Sequence, residues 1–154
     1  MELSGKAHIS APRAEVWSAL LDPDVLRACL PGCEALTPTG PDAYEASVVL
    51  GVAGIKGSYR GRVRITDRVE ESRYRLAVEG AGGGNRIKGD AVIELRDAAR
   101  GGTDVHYAGE AQIAGTLAVV GQRLLQPAAK SLTEKFFASI GTQVRKRVAE
   151  GRRA

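Results

Sequence analysis

The chain reads APRAEVWSALLDP at residues 11–23, and this stretch leads into LPGCE at residues 30–34. Pro12 suits the first turn of a helix, and apolar residues then recur at helical spacing. The helical pattern ends at Asp22, which can cap a second short helix over residues 23–28. The Pro-Gly pair after that helix turns the chain. The stretch therefore predicts two short helices, one after the other, near the start of the fold.

A chain of 154 residues suffices for a core of its own, so we expect one domain at 1–150 and a short basic tail at 151–154. The first residues lack the apolar run of a signal peptide, and nothing approaches the ~18 apolar residues of a membrane span. We therefore expect a cytoplasmic protein. Its two cysteines and two widely separated histidines predict neither a disulfide scaffold nor a metal site.

The formal net charge of +4 would allow contact with nucleic acid or an anionic membrane. Arg60, Arg62 and Arg64 form a basic stripe along one side of a predicted strand, but no aromatic residues alternate with them. Stacking on single-stranded nucleic acid needs such aromatics. We therefore expect this stripe to be a solvated face, and we expect no nucleic-acid partner.

Between residues 44 and 113 the apolar residues recur with a period of two, which is typical of half-buried strands. The clearest strand, at 58–65, places its apolar side chains on one face and its arginines on the other. Short connections rich in Gly, Asp and Ser separate these runs, and Gly51 and Gly54 bracket one of them. This pattern predicts an antiparallel meander.

From Leu117 the apolar period returns to 3.6, which predicts a long helix lying on the sheet. Pro127 has no amide proton, so we expect a kink there or a new helical start after Gln126. Small residues in the apolar stripe leave space between helix and sheet. The stripe consists of Leu117, Gly121, Leu124, Leu125, Ala128, Leu132, Phe136, Ile140 and Val144.

Three motifs extend over most of the chain: APRxxVWxxLxDPxVLxxCxPGCE at 11–34, GxGxxxxxKG at 80–89 and LxxxAAK at 124–130. With them, the chain resembles the carbon monoxide dehydrogenase G-subunit family of the START-like superfamily. The Ala-Pro opening occurs across the superfamily, whereas the Pro-Gly-Cys-Glu element is more specific to the family. The resemblance implies an α+β helix-grip fold, in which a curved antiparallel sheet of about seven strands wraps around the long C-terminal helix.

The resemblance also implies a non-enzymatic accessory protein that serves a molybdenum hydroxylase of the carbon monoxide dehydrogenase type. Such a protein would hold a hydrophobic small molecule, quinone or lipid-like, between sheet and helix, and would need no cofactor. It would contact the inner face of the membrane peripherally. Some relatives continue into a hydrophobic C-terminal segment, whereas this chain ends in basic residues. We therefore expect surface contact through Arg145, Lys146 and Arg147.

A cavity under the helix would be mostly apolar, with a few polar groups that orient the ligand. Four tyrosines fall on the predicted inner face, where each hydroxyl either meets a ligand carbonyl or is satisfied within the core. Trp17 either seals helix against sheet or stacks on the ligand. The residues expected to line the cavity are Leu30, Tyr44, Val48, Tyr59, Val63, Tyr74, Leu76, Tyr107, Leu124, Ala128 and Leu132.

Two glycine-containing segments are candidates for the cavity mouth. Pro31 and Gly32 either gate the mouth or form an ordinary turn from helix to strand. Gly82, Gly83 and Gly84 lie in a glycine-rich stretch that lacks the Gly-Lys-Ser/Thr ending of a phosphate loop and joins two strands. It therefore predicts a flexible hairpin that acts as a lid or as a partner contact.

Catalytic patterns are weak. His8 lies in the first strand and His106 on an outward face, and no nucleophile is placed beside either. Cys29 and Cys33 are expected to be inert thiols, the alternative being a redox pair. Two alternative functions stay open: a START-like cyclase or hydrolase acting on an aromatic or polyketide-like substrate, and an adaptor with a vestigial cavity that binds through its basic C-terminal end.

Overall fold

The structure, a computed structural model, describes residues 1–52 and 55–153, with the side chains of 52, 55, 152 and 153 outside that description. Seven segments of alternating polarity form strands. Their bounds are β1 Glu2–Ile9, β2 Cys33–Gly40, β3 Ala43–Val52, β4 Ile55–Val69, β5 Arg73–Gly82, β6 Asn85–Asp97 and β7 Thr103–Ala114. The helices are α1 Arg13–Leu20, α2 Pro23–Cys29, α3 Thr116–Val120 and α4 Gln122–Arg153.

The strands form one antiparallel sheet in the order β1-β7-β6-β5-β4-β3-β2. Strands β2 to β7 follow one another as a meander, and β1 closes the sheet by pairing with β7. The predicted α+β architecture is confirmed, with two short helices between β1 and β2 and a long helix after the meander. The turn predicted between Gly51 and Gly54 falls partly outside the described residues.

Local chemistry explains the two short helices. In α1, Val16, Trp17, Ala19 and Leu20 are all buried against the core. At α2, the Asp22 side chain accepts a hydrogen bond from the backbone N–H of Asp24 at 2.9 Å, as a helix cap does. Asp22 also pairs with Arg147, so the same carboxylate joins the α1–α2 corner to α4.

The predicted new helical start after Gln126 is wrong, because the break lies at Gly121. Gly121 has φ of +86°, which ends α3, and α4 starts at the next residue. Pro127 lies in the second turn of α4, where its missing amide proton costs only the bond to Arg123 near the helix end. α4 continues to Arg153, into the segment predicted as a tail.

The buried apolar residues form two separate groups. The large cluster joins α1, α2 and the C-terminal half of α4 to the sheet, around Val16, Val105 and Ile140. The small cluster lies at the other end of α4 and contains Tyr59, Leu117, Leu125 and Ala128. The space between the clusters lies under the middle of α4.

Candidate functional site

The inner face of the sheet, which faces α4, carries a band of residues with little or no side chain. Strand pairing places these residues side by side, with Gly61 opposite both Ala46 and Gly80. None of these residues has a side chain longer than a methyl group, so the band leaves space toward α4. The longer side chains beside it project further toward the helix. We call this band the cleft floor: Ala46, Gly61, Gly80, Gly89, Ala91, Gly109 and Ala111.

Apolar side chains beside the floor remain partly exposed. Val63 and Val78 lie opposite each other on the inner face, yet both are only half-buried. Among the described residues, neither is a member of the large or the small cluster. Leu132 and Phe136 on α4 are also half-buried. A close-packed interior would bury all four, so water reaches a cleft between sheet and helix.

The four tyrosines lie on the inner face, and their contact with a ligand stays a prediction. Tyr44, Tyr59, Tyr74 and Tyr107 are all buried and belong to the two clusters that flank the cleft. Burial raises the pKa of the phenols of Tyr44, Tyr74 and Tyr107 above the usual value. These hydroxyls therefore stay neutral at physiological pH and can donate hydrogen bonds.

Trp17 packs α1 against the sheet, which is one of the two roles predicted for it. Its ring is 3% exposed and meets Tyr74 edge to face, with 5.6 Å between ring centroids. The indole Nε1–H is buried and has no acceptor among the described residues. Leu76 follows Tyr74 on the same face and is half-buried. The Trp17–Tyr74 pair therefore lies next to the cleft, at its inner end.

Tyr107 acts mainly as a packing residue. Its ring stacks on Phe137 of α4, with 5.2 Å between centroids and 18° between planes. A Cβ atom at Gly5 would lie 2.6 Å from the ring carbon that carries the Tyr107 hydroxyl. The bare backbone of β1 therefore makes room for this ring.

The predicted lining at Leu124 is wrong. Leu124 is 59% exposed, whereas its neighbour Leu125 is 3% exposed and belongs to the small cluster. Leu124 precedes Leu125 by one residue, which is about 100° around α4, so it lies on the side of the helix turned away from the small cluster. The other apolar residues predicted to line the cavity are at least partly buried. Ala128 is buried, and Val48, Val63, Leu76 and Leu132 are half-buried. Leu30, at the end of α2, is half-buried as well.

The candidates for the mouth lie at one end of the cleft. Gly32 accepts a hydrogen bond from the Val49 amide, and the neighbouring Val48 lies opposite Tyr59. A Cβ at Gly82 would lie 3.0 Å from the Tyr59 ring. Pro31 and Gly32 form a turn from helix to strand, since Gly32 has φ of +71° and touches β3 too closely for a Cβ atom. Gating at this turn stays a prediction.

The glycine-rich stretch is more ordered than a flexible lid. Gly82 still belongs to β5, and only Gly83 and Gly84 form the turn, both with positive φ. Asn85 holds this turn to α3, because its Oδ1 accepts from the Leu117 backbone N–H and the Thr116 hydroxyl, each at 2.8 Å. Asn85 thus caps a helix whose own N-cap residue is glycine.

Sequence reasoning missed Asn85 and the cleft floor. The signal for Asn85 was present, since the period of two places it on the inner face with Ile87 and Ile93. An amide at such a position needs a partner in the interior. The floor glycines also follow the inner phase, but only strand pairing shows that they are neighbours.

We expect Asn85→Ala to lower the free energy of unfolding by about 1–2 kcal/mol, because α3 loses its cap. Asn85→Asp keeps the accepting oxygen at a helix start and should cost less. Chemical denaturation measures both. Equal losses in the two variants would contradict the capping role.

The histidines and cysteines are the other candidates for chemistry. His8 Nδ1 lies 3.0 Å from Asp104 Oδ1 at the surface. Burial raises the pKa of the Cys29 and Cys33 thiols, which lowers their thiolate fraction at neutral pH, and both are free. Within residues 1–52 and 55–153, no group of three or more His, Cys, Asp and Glu side chains could hold a metal ion.

The basic C-terminal prediction is partly corrected. Arg145 and Lys146 are exposed on α4. Arg147 is half-buried and its guanidinium pairs with Asp22, so this charge is used within the fold. Over the part of the chain that the structure describes, no helix is long and apolar enough to cross a membrane.

Two open grooves share Ser47, Arg60 and Ala81, which lie on the opposite, outer face of the sheet, and inner-face residues line them as well, among them Tyr59 in the smaller groove and Gly61 in the larger. Their volumes are about 470 and 770 Å³. The predicted basic stripe borders them, since Arg60 and Arg62 point outward as expected.

Several solved structures share this sheet and helix. A crystal structure of a conserved protein from Geobacillus kaustophilus is 34% identical, with a TM-score of 0.91 over 95% of this chain and 96% of that one. Protein Ms6760 from Mycobacterium smegmatis has 19% identity and a TM-score of 0.68, covering 95% of this chain and 92% of that one. Protein CV1439 from Chromobacterium violaceum has 16% identity and a TM-score of 0.69, covering 93% and 96%. The two more distant structures show the fold alone.

No protein of curated function matched the sequence. The family profile described as the G subunit of carbon monoxide dehydrogenase (CoxG) matches residues 5–145, which is nearly the whole chain. With the START-like sheet and helix, this match shows that the chain belongs to the carbon monoxide dehydrogenase G-subunit (CoxG) family.

Proposed function

We propose that this protein is a non-enzymatic accessory protein that holds a quinone or similar lipid-like molecule in the sheet–helix cleft. It would do so for a molybdenum hydroxylase of the carbon monoxide dehydrogenase type, as its family membership suggests. The observation that carries the proposal is the exposure of Val63 and Val78 above a floor of glycine and alanine. When a ligand covers apolar surface that is exposed to water, the free energy of the complex falls by about 25 cal/mol per Å².

The two ends of the cleft differ in a way that suits a quinone. At the inner end, the Trp17 indole N–H is buried without an acceptor among the described residues, beside the neutral phenol of Tyr74. Both groups donate hydrogen bonds, and a quinone carbonyl accepts them. The opposite end is apolar, with Leu132 over Ile87 and Ile113. An isoprenoid tail fits there.

The chemistry of the cleft favours binding over catalysis. The START-like enzyme alternative predicts a titratable residue pointing into the cavity. On the described inner face of β3 to β7, the titratable residues are the four buried tyrosines, and carboxylates and imidazoles lie on the outer face or at the edges. A neutral phenol is a poor general base at physiological pH.

A titration with a short-chain quinone tests the proposal. Trp17 is the single tryptophan and lies at the inner end of the cleft, so its fluorescence reports on occupancy. We expect saturable quenching with one site per chain, and native mass spectrometry should show the same stoichiometry. Lack of saturable quenching in a cooperatively folded sample would contradict the proposal.

We further propose that the mouth end contacts the membrane surface, since a lipid-like ligand comes from there. Val119 is 87% exposed and Leu124 is 59% exposed, on either side of the α3–α4 junction, and the neighbouring Arg123 is exposed. Exposed apolar residues beside a cation suit an anionic bilayer surface. α3 is joined to the mouth through Asn85.

We expect Val119→Asp with Leu124→Asp to reduce co-sedimentation with anionic vesicles by roughly tenfold. Arg145→Gln with Lys146→Gln is the matched change at the far end of α4 and should have a smaller effect. The reverse order would move the contact to the basic C-terminal end, as the sequence alone suggests.

A further inference from the structure

The larger outer groove, about 770 Å³, crosses β2 to β6 on the face away from α4. Its charged lining consists of four cations, Arg60, Arg62, Arg86 and Lys88, and two carboxylates, Glu45 and Glu79. The groove is therefore net positive. The sheet lies between this groove and the cleft, although Ala46, Gly61 and Gly80 of the cleft floor also line the groove.

Strand pairing sorts these charges into two rows. One row alternates in sign, with Arg62 opposite both Glu45 and Glu79, and with Lys88 opposite Glu79. Opposite charges that face each other across strands stabilise the sheet. The positive and negative charges of this row therefore neutralise one another.

The neighbouring row is not balanced. Arg60 and Arg86 flank Ala81, each directly opposite it, and Ser47 lies on the other side of Arg60. The two arginines are two strand spacings apart, about 10 Å, so their long side chains can meet over the small alanine. Among the described residues, neither guanidinium has a carboxylate partner within ion-pair distance.

Several other exposed arginines of the sheet do pair, although Arg64 and Arg73 have no ion-pair partner among the described residues. Arg68 contacts Asp42 at 2.8 Å and Arg96 contacts Glu94 at 2.7 Å. Arg75 lies 3.4 Å from Asp67. Arg60 and Arg86 differ from the other unpaired arginines because they lie on either side of the same alanine, where one external carboxylate could contact both.

The shape and the carboxylates of the groove select the class of partner. A flat bilayer cannot enter a concave groove. Single-stranded nucleic acid is disfavoured because the groove lining has no aromatic residue for bases to stack on. A protein segment with alternating acidic and neutral residues meets both the cations and the carboxylates of the groove.

We propose that the outer groove docks an acidic, extended segment of a partner protein, with carboxylates between Arg60 and Arg86. The groove reaches edge strand β2 through Ala35 and Thr37, which have no further strand beside them in the described sheet. An extended segment can therefore approach from that side. Strands β2 to β6 thus serve two purposes, with ligand on the inner face and partner on the outer face.

Fluorescence anisotropy with a labelled peptide of about ten alternating glutamate and threonine residues tests this. We expect saturable binding that weakens with salt, and roughly fivefold or greater loss in Arg60→Gln with Arg86→Gln. The matched control is Arg64→Gln with Arg100→Gln, which removes the same charge at exposed positions outside the groove. Circular dichroism confirms that both variants are folded.

Equal losses in the two double variants would overturn the proposal, since binding would then follow net charge alone. Lack of saturable peptide binding to the unchanged protein would overturn it as well. So would anionic vesicles or a single-stranded oligonucleotide whose binding depends on Arg60 and Arg86 more strongly than the peptide does. Because Trp17 quenching by quinone uses the other face, its loss alone would contradict the proposed function and leave the groove intact.

Discussion

Gly80→Phe is expected to close the cleft and to remove most of the quinone affinity. A Cβ at Gly80 would meet its nearest atoms, Arg60 O and Ile87 Cβ, at 3.7 and 4.0 Å, which are ordinary contacts. The ring would then extend from the cleft floor toward α4. If it displaces ~100 Å² of ligand contact, the loss is about 2.5 kcal/mol, or roughly seventyfold in affinity. Quenching of Trp17 measures this change.

The matched control is the next residue, Ala81→Phe, whose side chain projects from the outer face into the groove. It should leave quinone binding unchanged and weaken binding of the acidic peptide. The two substitutions thus separate the functions of the two faces. Quinone affinity that survives in a folded Gly80→Phe protein would place the ligand outside the cleft.

Leu125→Ala is expected to lower the free energy of unfolding by about 2–4 kcal/mol. Leu125 is 3% exposed and packs with Tyr59, Leu117 and Ala128, so its truncation leaves a cavity in the small cluster. Urea denaturation measures the change. Because α3 and the mouth depend on this cluster, vesicle binding should fall as well.

Leu124→Ala removes the same atoms from the adjacent position, where the side chain is 59% exposed. Its cost should stay within about 0.5 kcal/mol. Comparison of the two variants therefore tests which face of α4 packs against the sheet. Similar costs at both positions would contradict the assignment of Leu125 to the buried face of α4 and of Leu124 to the exposed face.

The sequence predicted well whatever depends on local periodicity. A period of two along 58–65 placed Tyr59 inward and Arg60 outward, as the structure has them. The capping residue Asp22 before Pro23 placed α2 within one residue of its end. These features follow from steric and hydrogen-bonding preferences of neighbouring residues, so a single segment contains the information.

The buried face of α4 was predicted only in part from the local sequence pattern. A stripe drawn continuously from Leu117 to Val144 missed the break at Gly121, where a φ of +86° separates α3 from α4, and it included Leu124, which lies outside the buried face of α4. Glycine tolerates both helical and left-handed backbone. The choice between them came from α3, whose start is held by Asn85 from a distant hairpin.

Residue patterns alone were enough to predict the family, the order of strands and helices, and the inward-facing tyrosines of the meander. Only the tertiary structure decided that Gly61, Gly80 and Ala46 lie side by side as a floor. The tertiary structure also brings Asp22 and Arg147 together as an ion pair, and it places Arg60 and Arg86 on either side of Ala81. The physical reason is that side-chain direction repeats within a strand, whereas the register between strands depends on turns and on the packing of α4.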